Sequence, residues 1–284
     1  MDKKKCDYGT TLDDRRMSYD CLDEPYSGGY CRFHNSEFAA NEKNKKALVE
    51  LLDQKVNEAN TSGSPLKLIG YNFPKGFPMR YHFKSAVDFD RAHFLDEVDF
   101  TTSVFEKDVS FYETEFSRVA NFSNATFNGE ASFNGTHFGG DTSFSDTTFE
   151  SDVSFHDLTF DKEAWFSDTT FESDVSFSNA TFNGEAYFNE SRFSRVLSFT
   201  GNTINGTIGF RQVFFREKDQ IIFNGDLSKV SFVNTDITRV RFGDVIWGKN
   251  QAKSGNSETE HNNDFNSNRE RFNSKIHDER MIKM

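Results

Sequence analysis

The stretch FSDTTFESDVSF occupies residues Phe144–Phe155, and the same twelve letters occupy Phe166–Phe177. The second copy is the first shifted by 22 in the numbering. From Phe83 to Phe199 the phenylalanines alternate at spacings of six and five, beginning Phe83, Phe89, Phe94, Phe100, Phe105 and Phe111. The unit is therefore eleven residues, and Ile204, Phe210 and Phe215 extend it. A helix of period 3.6 would scatter these rings around its surface, and a continuous strand of period 2 cannot hold them on one face. A fixed long period is the mark of a repeat architecture.

The positions between the rings are just as regular. A small or β-branched residue stands two before most of these Phe, as in Val109, Ala120, Ala131, Val153, Ala164 and Val175. A polar residue stands between, as in Ser110, Asn121, Ser132, Ser154 and Ser176. Each piece thus reads as a short strand, apolar–polar–apolar, with the outer residues turned inward. Turn formers follow, among them Asn128-Gly129, Asn134-Gly135, Asn183-Gly184 and Asn205-Gly206.

These tandem A-x-F-x-x pieces resemble pentapeptide repeats. The resemblance implies an all-β fold, a right-handed quadrilateral β-helix with four sides per coil. Sides that alternate five and six in length total 22 over one coil, the offset of the verbatim copies, so equivalent residues should stack in successive coils. One residue beyond the strict five in every second piece has to be absorbed at a corner. A two-sided coil of eleven residues is the alternative, and it would hardly enclose so many rings. Stacked strands lie ~4.8 Å apart, so the rings should form columns with offset contacts.

Composition agrees with such a chain. Phe supplies 34 of the 284 residues, yet mean hydropathy is only −0.70. Net charge is −12, which argues against direct nucleic-acid binding. No apolar run approaches the ~18 residues of a membrane span, and the N-terminus lacks the apolar stretch of a signal peptide. The expected compartment is the cytosol.

Flanking segments complete an expected organisation of 1–35 (metal-binding), 36–64 (capping helix and linker), 65–248 (β-helix) and 249–284 (polar flexible tail, with a short helix from about Asn268). Leu48, Leu51, Leu52, Val56 and Ala59 fall at helical spacing, and Thr61-Ser62-Gly63-Ser64-Pro65 ends that helix. LKLIGYNFPKGFPMRYHF (Leu66–Phe83) resembles the lead-in strand before some pentapeptide repeat solenoids. After Phe215 the rhythm breaks at REKDQ. Phe232, Ile237, Phe242 and Trp247 then follow at strict five-residue spacing, read as a last coil and its cap, giving six to seven coils in all.

Cys6, Cys21, Cys31 and His34 lie in one otherwise polar window as Cys-x14-Cys-x9-Cys-x2-His. Three thiolates and an imidazole are a common structural zinc set. A polar segment of ~35 residues has too little core to fold alone, so a metal would supply the missing free energy. The segment also resembles the YCxxH stretch before some archaeal and bacterial pentapeptide repeat solenoids. No nucleophile–base set, phosphate loop or isolated carboxylate pair points to an enzyme.

The extra residue of every second piece is usually acidic: Glu97, Asp108, Glu130, Asp141, Asp152, Glu163, Asp174 and Glu185, broken by Val119 and Val196. From Asn121 to Glu190 thirteen acids face one base, Lys162, for a net −12 (13 − 1). Glu130, Asp141, Glu150, Asp152, Glu163, Glu172, Asp174 and Glu185 are the candidate interaction surface. The function expected is a rigid scaffold for an unidentified protein partner, with self-pairing into a homodimer as an option. The resemblance offers two alternatives. One is an acidic DNA mimic that occupies the groove of a type II topoisomerase, although such mimics usually carry a projecting loop that this ladder lacks. The other is a shortened relative of membrane-associated pentapeptide repeat proteins.

Overall fold

The structure is a computed structural model that describes residues 9–12, 17–21, 23, 30–216 and 221–247. Expectations for Cys6, for REKDQ beyond Arg216 and for 249–284 concern residues outside that set.

Short parallel strands wind into a four-sided solenoid. Face A has nine strands from Leu66–Lys67 to Val240–Ile246, and face B seven from Asn72–Phe73 to Thr203–Ile204. Face C has eight from Phe77–Pro78 to Val230–Ser231, and face D seven from His82–Phe83 to Phe214–Phe215. Equivalent residues pair from coil to coil, as Val153 with Val175 and Phe149 with Phe171. About eight coils result, more than the six to seven read from the sequence. Leu66–Phe83 is itself the first coil rather than a lead-in, since its four strands join all four faces.

The interior is a bundle of aromatic columns. On face B, Phe73, Phe94, Phe116, Phe138 and Phe160 stack at centroid spacings of 4.7, 4.7, 4.9 and 5.0 Å. Faces A and C point rings at one another, and these interleave edge to face: Phe133 meets Phe144 at 5.3 Å and 84°. Parallel offset stacking along a column and edge-to-face contact across the bore both suit the ring quadrupole. Each buried Phe contributes roughly 1.5–3 kcal/mol, so the columns dominate the energetics.

The alternating spacing is absorbed by two kinds of corner. Five-residue pieces close a tight β-turn, as when Thr114 N–H donates to Phe111 C=O (3.1 Å). The third residue of that turn is left-handed, and it recurs every eleven positions: Arg91, Thr102, Glu113, Asn124, then Gly135 (φ 66°) and on to Gln212. From Phe83 to Phe215 the six-residue pieces make a wider corner without a left-handed residue. Buried threonines tie the tight corners from coil to coil. Thr114, Thr136, Thr147 and Thr169 donate to the carbonyls of Phe89, Phe111, Phe122 and Phe144 at 2.7–2.8 Å. The glycines of Asn128-Gly129 and Asn183-Gly184 serve another purpose than turn conformation. A Cβ on Gly184 would lie 2.4 Å from the Lys162 carbonyl carbon, so that corner sits directly on the one below.

The ends differ. α1 (Ser36–Ala40) and α2 (Lys45–Ser62) lie before the first coil. Leu48, Leu52, Val56 and Ala59 of α2 are buried, and Gly63 ends the helix in a left-handed C-cap. The last coil lacks strands on faces B and D among the described residues. Phe232 and Phe242 still pack on Phe210 and Phe223, but Ile237 lies in a 3₁₀ turn and is exposed, as is Trp247. The five-residue spacing there does not make an inward set, because no further described coil stands above to bury it.

Candidate metal centre and acidic corners

The CRFH turn is held between α1 and the first coil. Asn35 N–H bonds to Cys31 C=O (3.0 Å), and the Asn35 side chain caps α1 by accepting from Phe38 N–H (2.8 Å). This turn sets Cys31 and His34 on one side, with Sγ and Nδ1 3.2 Å apart. Cys21, at the end of the strand Met17–Asp20, brings its Sγ within 3.9 Å of Cys31 Sγ. All three side chains are buried, and their donor atoms lie within 4.8 Å of one another.

The donors suit zinc. Ligands at Zn–S ≈ 2.3 Å in a tetrahedron stand roughly 3.8 Å apart, close to the Cys21–Cys31 separation. His34 Nε2 lies 2.8 Å from Ile69 C=O and donates to it, which leaves Nδ1 unprotonated toward the thiols. Such an outer partner fixes tautomer and ring orientation at a metal. Without a metal, the neighbouring Cys31 thiol and then burial push the Cys21 thiol up, so binding must release its proton. The structure thus brings together three of the four residues read from the sequence, and Cys6 lies outside those described.

Beside the centre is a group that no sequence motif singled out. Asp23 pairs with Lys55 of α2 (2.5 Å) and accepts from the Tyr71 hydroxyl. Burial alone would raise the Asp23 carboxyl, but the Lys55 and Tyr71 hydrogen bonds hold it below the usual range. Tyr71 in turn meets the His34 ring edge-on at 5.0 Å. The two Asp23 contacts span 32 and 48 residues of chain, and no local pattern announces them.

The eight candidate acids all lie at wide corners and divide between two of them. Glu130, Glu150, Asp152, Glu172 and Asp174 lie on the D–A corner, while Asp141, Glu163 and Glu185 lie on the B–C corner. Several carboxylates have a backbone task. Asp108 Oδ1 accepts from Glu130 N–H and Asp152 Oδ1 from Asp174 N–H, both at 3.0 Å. Ser173 also donates to Asp152 (2.5 Å), and Ser194 donates to Glu172 (2.9 Å). Asp108 and Asp152 each satisfy an N–H of the next coil that the strand ladder leaves out at the corner. In the first coils acids are neutralised across coils, as in Arg91–Glu113 (2.6 Å) and Arg118–Asp96 (3.4 Å). Glu130, Glu150, Asp152 and Glu172 enter no ion pair among the described residues, and Arg195 reaches only Asp174 (3.3 Å).

The coil geometry defines a class, the parallel β-solenoid with four-sided coils whose equivalent positions recur at an interval of 22. Residues 111–159 and 159–203 match the family described as Pentapeptide repeats (9 copies). The matched residues carry pentapeptide repeats, and the solenoid around them has the in–out–in strands that the repeat requires. No curated protein and no solved structure matches the chain. No helix among the described residues is long and apolar enough to cross a membrane.

Proposed function

We propose that this protein is a non-enzymatic, rigid β-helical scaffold for protein–protein interaction, with an N-terminal cap held by one structural zinc at Cys21, Cys31 and His34, Cys6 being the fourth ligand. The continuous aromatic core carries the scaffold reading: it makes a stiff rod whose walls present fixed columns of short side chains. Elemental analysis should find about one zinc per chain, lost in Cys31→Ser while the solenoid stays folded. Protein prepared without chelator and free of zinc would remove the metal from this proposal.

The D–A corner is the favoured contact surface, for a protein partner in the cytosol. Opposite charge on that partner would speed encounter, and salt would slow it. Affinity capture at low and high salt, with the parent and with Glu130→Gln/Glu150→Gln/Asp152→Asn/Glu172→Gln, tests this. Capture unaffected by the four substitutions would move the contact to another face. Inhibition of type II topoisomerase supercoiling by the parent, lost in the variant, would instead identify DNA mimicry.

A further inference from the structure

We infer that metal occupancy at Cys21, Cys31 and His34 decides whether the N-terminal end of the aromatic core is sealed. The inference rests on the zinc reading above and concerns what the metal controls. The seal is Phe33, which lies between two of the ligands in the chain and is fully buried. Its ring stacks on Tyr71 at 4.4 Å and 11° and meets Phe73 at 5.7 Å and Phe77 at 6.5 Å. Phe73 is the first ring of the face B column, 4.7 Å from Phe94. Phe33 therefore covers the column end where a preceding coil would otherwise stand.

The backbone makes the same substitution. Phe33 C=O accepts from Asn72 N–H (3.0 Å) and from Asn72 Nδ2 (2.9 Å), and His34 Nε2 donates to Ile69 C=O. The turn thus closes the otherwise open edge strand of face B, the exposure that solenoid ends must manage. α1 starts two residues after His34 and packs on Asn72–Phe73.

The rest of the cap is anchored independently. α2 buries Leu48, Leu52 and Val56. Its Asn60 donates to His82 C=O and accepts from Lys84 N–H, both at 2.8 Å. The cap therefore has two parts, residues 31–40 fastened through the metal centre and residues 45–62 fastened by apolar packing. A bound ion ties Cys21 to the turn and fixes both flanks of Phe33. Its loss releases 31–40, uncovers Tyr71, Phe73 and Phe77, and leaves Asn72 N–H without its acceptor.

The test is amide hydrogen exchange on the full chain, first with its metal, then after chelation, then after zinc is restored. Exchange at Asn72 and across 33–39 is expected to accelerate at least about tenfold on chelation and recover with zinc, while Phe133 and Phe155 stay unchanged. Phe33→Ser should keep its metal by elemental analysis yet show the fast exchange at Asn72, which separates the seal from the ligands. Complete metal removal with unchanged exchange at Asn72 overturns the seal alone. A chain that neither carries nor takes up zinc overturns the zinc reading and the seal together.

Discussion

At the scale of the residue, the protein depends on a strict division between inward and outward positions one residue apart. Phe155 is fully buried between Phe133 and Phe177, at 5.1 and 4.6 Å. Phe155→Asp would bury a carboxylate with no partner and should cost more than about 4 kcal/mol, or prevent folding. Ser132→Asp, at an outward position beside Phe133, should cost under about 0.5 kcal/mol. Denaturant titration of both variants checks this, and comparable losses would contradict the division. This division was legible in the sequence because each ring repeats in the same environment. The buried threonines of the tight corners were not read, since Thr136 obeys the same small-or-branched rule as Ala125. What separates them is that Thr136 donates to the Phe111 carbonyl, 25 residues back, and spacing alone does not show it.

At the scale of the element, the second coil carries a titratable strain absent from the uniform ones that follow. Asp88 and Asp90 stand on face A. Asp90 accepts from the Ser110 hydroxyl and from Tyr112 N–H, and Asp90 N–H bonds to Asp88 Oδ1 (3.1 Å). Burial, and next the Asp90 charge, push the Asp88 carboxyl up to about 7. An acid whose folded pKa is raised is stabilising when protonated. Its contribution is complete below the unfolded value of about 4 and is lost as pH rises to about 7. Lys67 and Arg91 face this pair and temper the loss without cancelling it. Thermal melts should fall over that window, and Asp88→Asn should flatten the fall and melt higher than the parent at pH 8. A variant with the parent's pH profile would show that Asp88 is not the source. Nothing in the sequence warned of this pair, because the outward position holds Ser in the next five coils and Asp88 reads as one more polar residue. The corners illustrate the same limit. The 6–5 alternation was plain, yet which corner takes the left-handed residue depends on a turn hydrogen bond, and Arg91 and Glu113 carry no mark of it.

At the scale of the whole molecule, coils touch only their neighbours, so stability accumulates coil by coil and so does charge. Like acids stacked ~5 Å apart repel by about 0.8 kcal/mol per pair even at the dielectric constant of water. The D–A corner holds Glu130, Glu150, Asp152, Glu172 and Asp174, and among the described residues only Arg195 forms an ion pair with any of them. Repulsion and hydrogen bonding make opposite demands on Asp152, and two substitutions separate them. Asp152→Asn removes the charge but keeps an oxygen for Asp174 N–H, so it should leave stability unchanged or slightly raised. Asp152→Ala also removes the charge but strands that N–H at the corner, where water satisfies it only in part, and should cost about 0.5–1.5 kcal/mol. Combined with Glu130→Gln, Glu150→Gln and Glu172→Gln, Asp152→Asn should raise the melting temperature at low ionic strength. That gain should disappear at 1 M salt, where the screening length is about 3 Å. A gain that persists in high salt would mean that the acids destabilise by something other than their charge. An Asp152→Ala variant as stable as Asp152→Asn would mean that the column serves no backbone purpose and is retained for its charge alone.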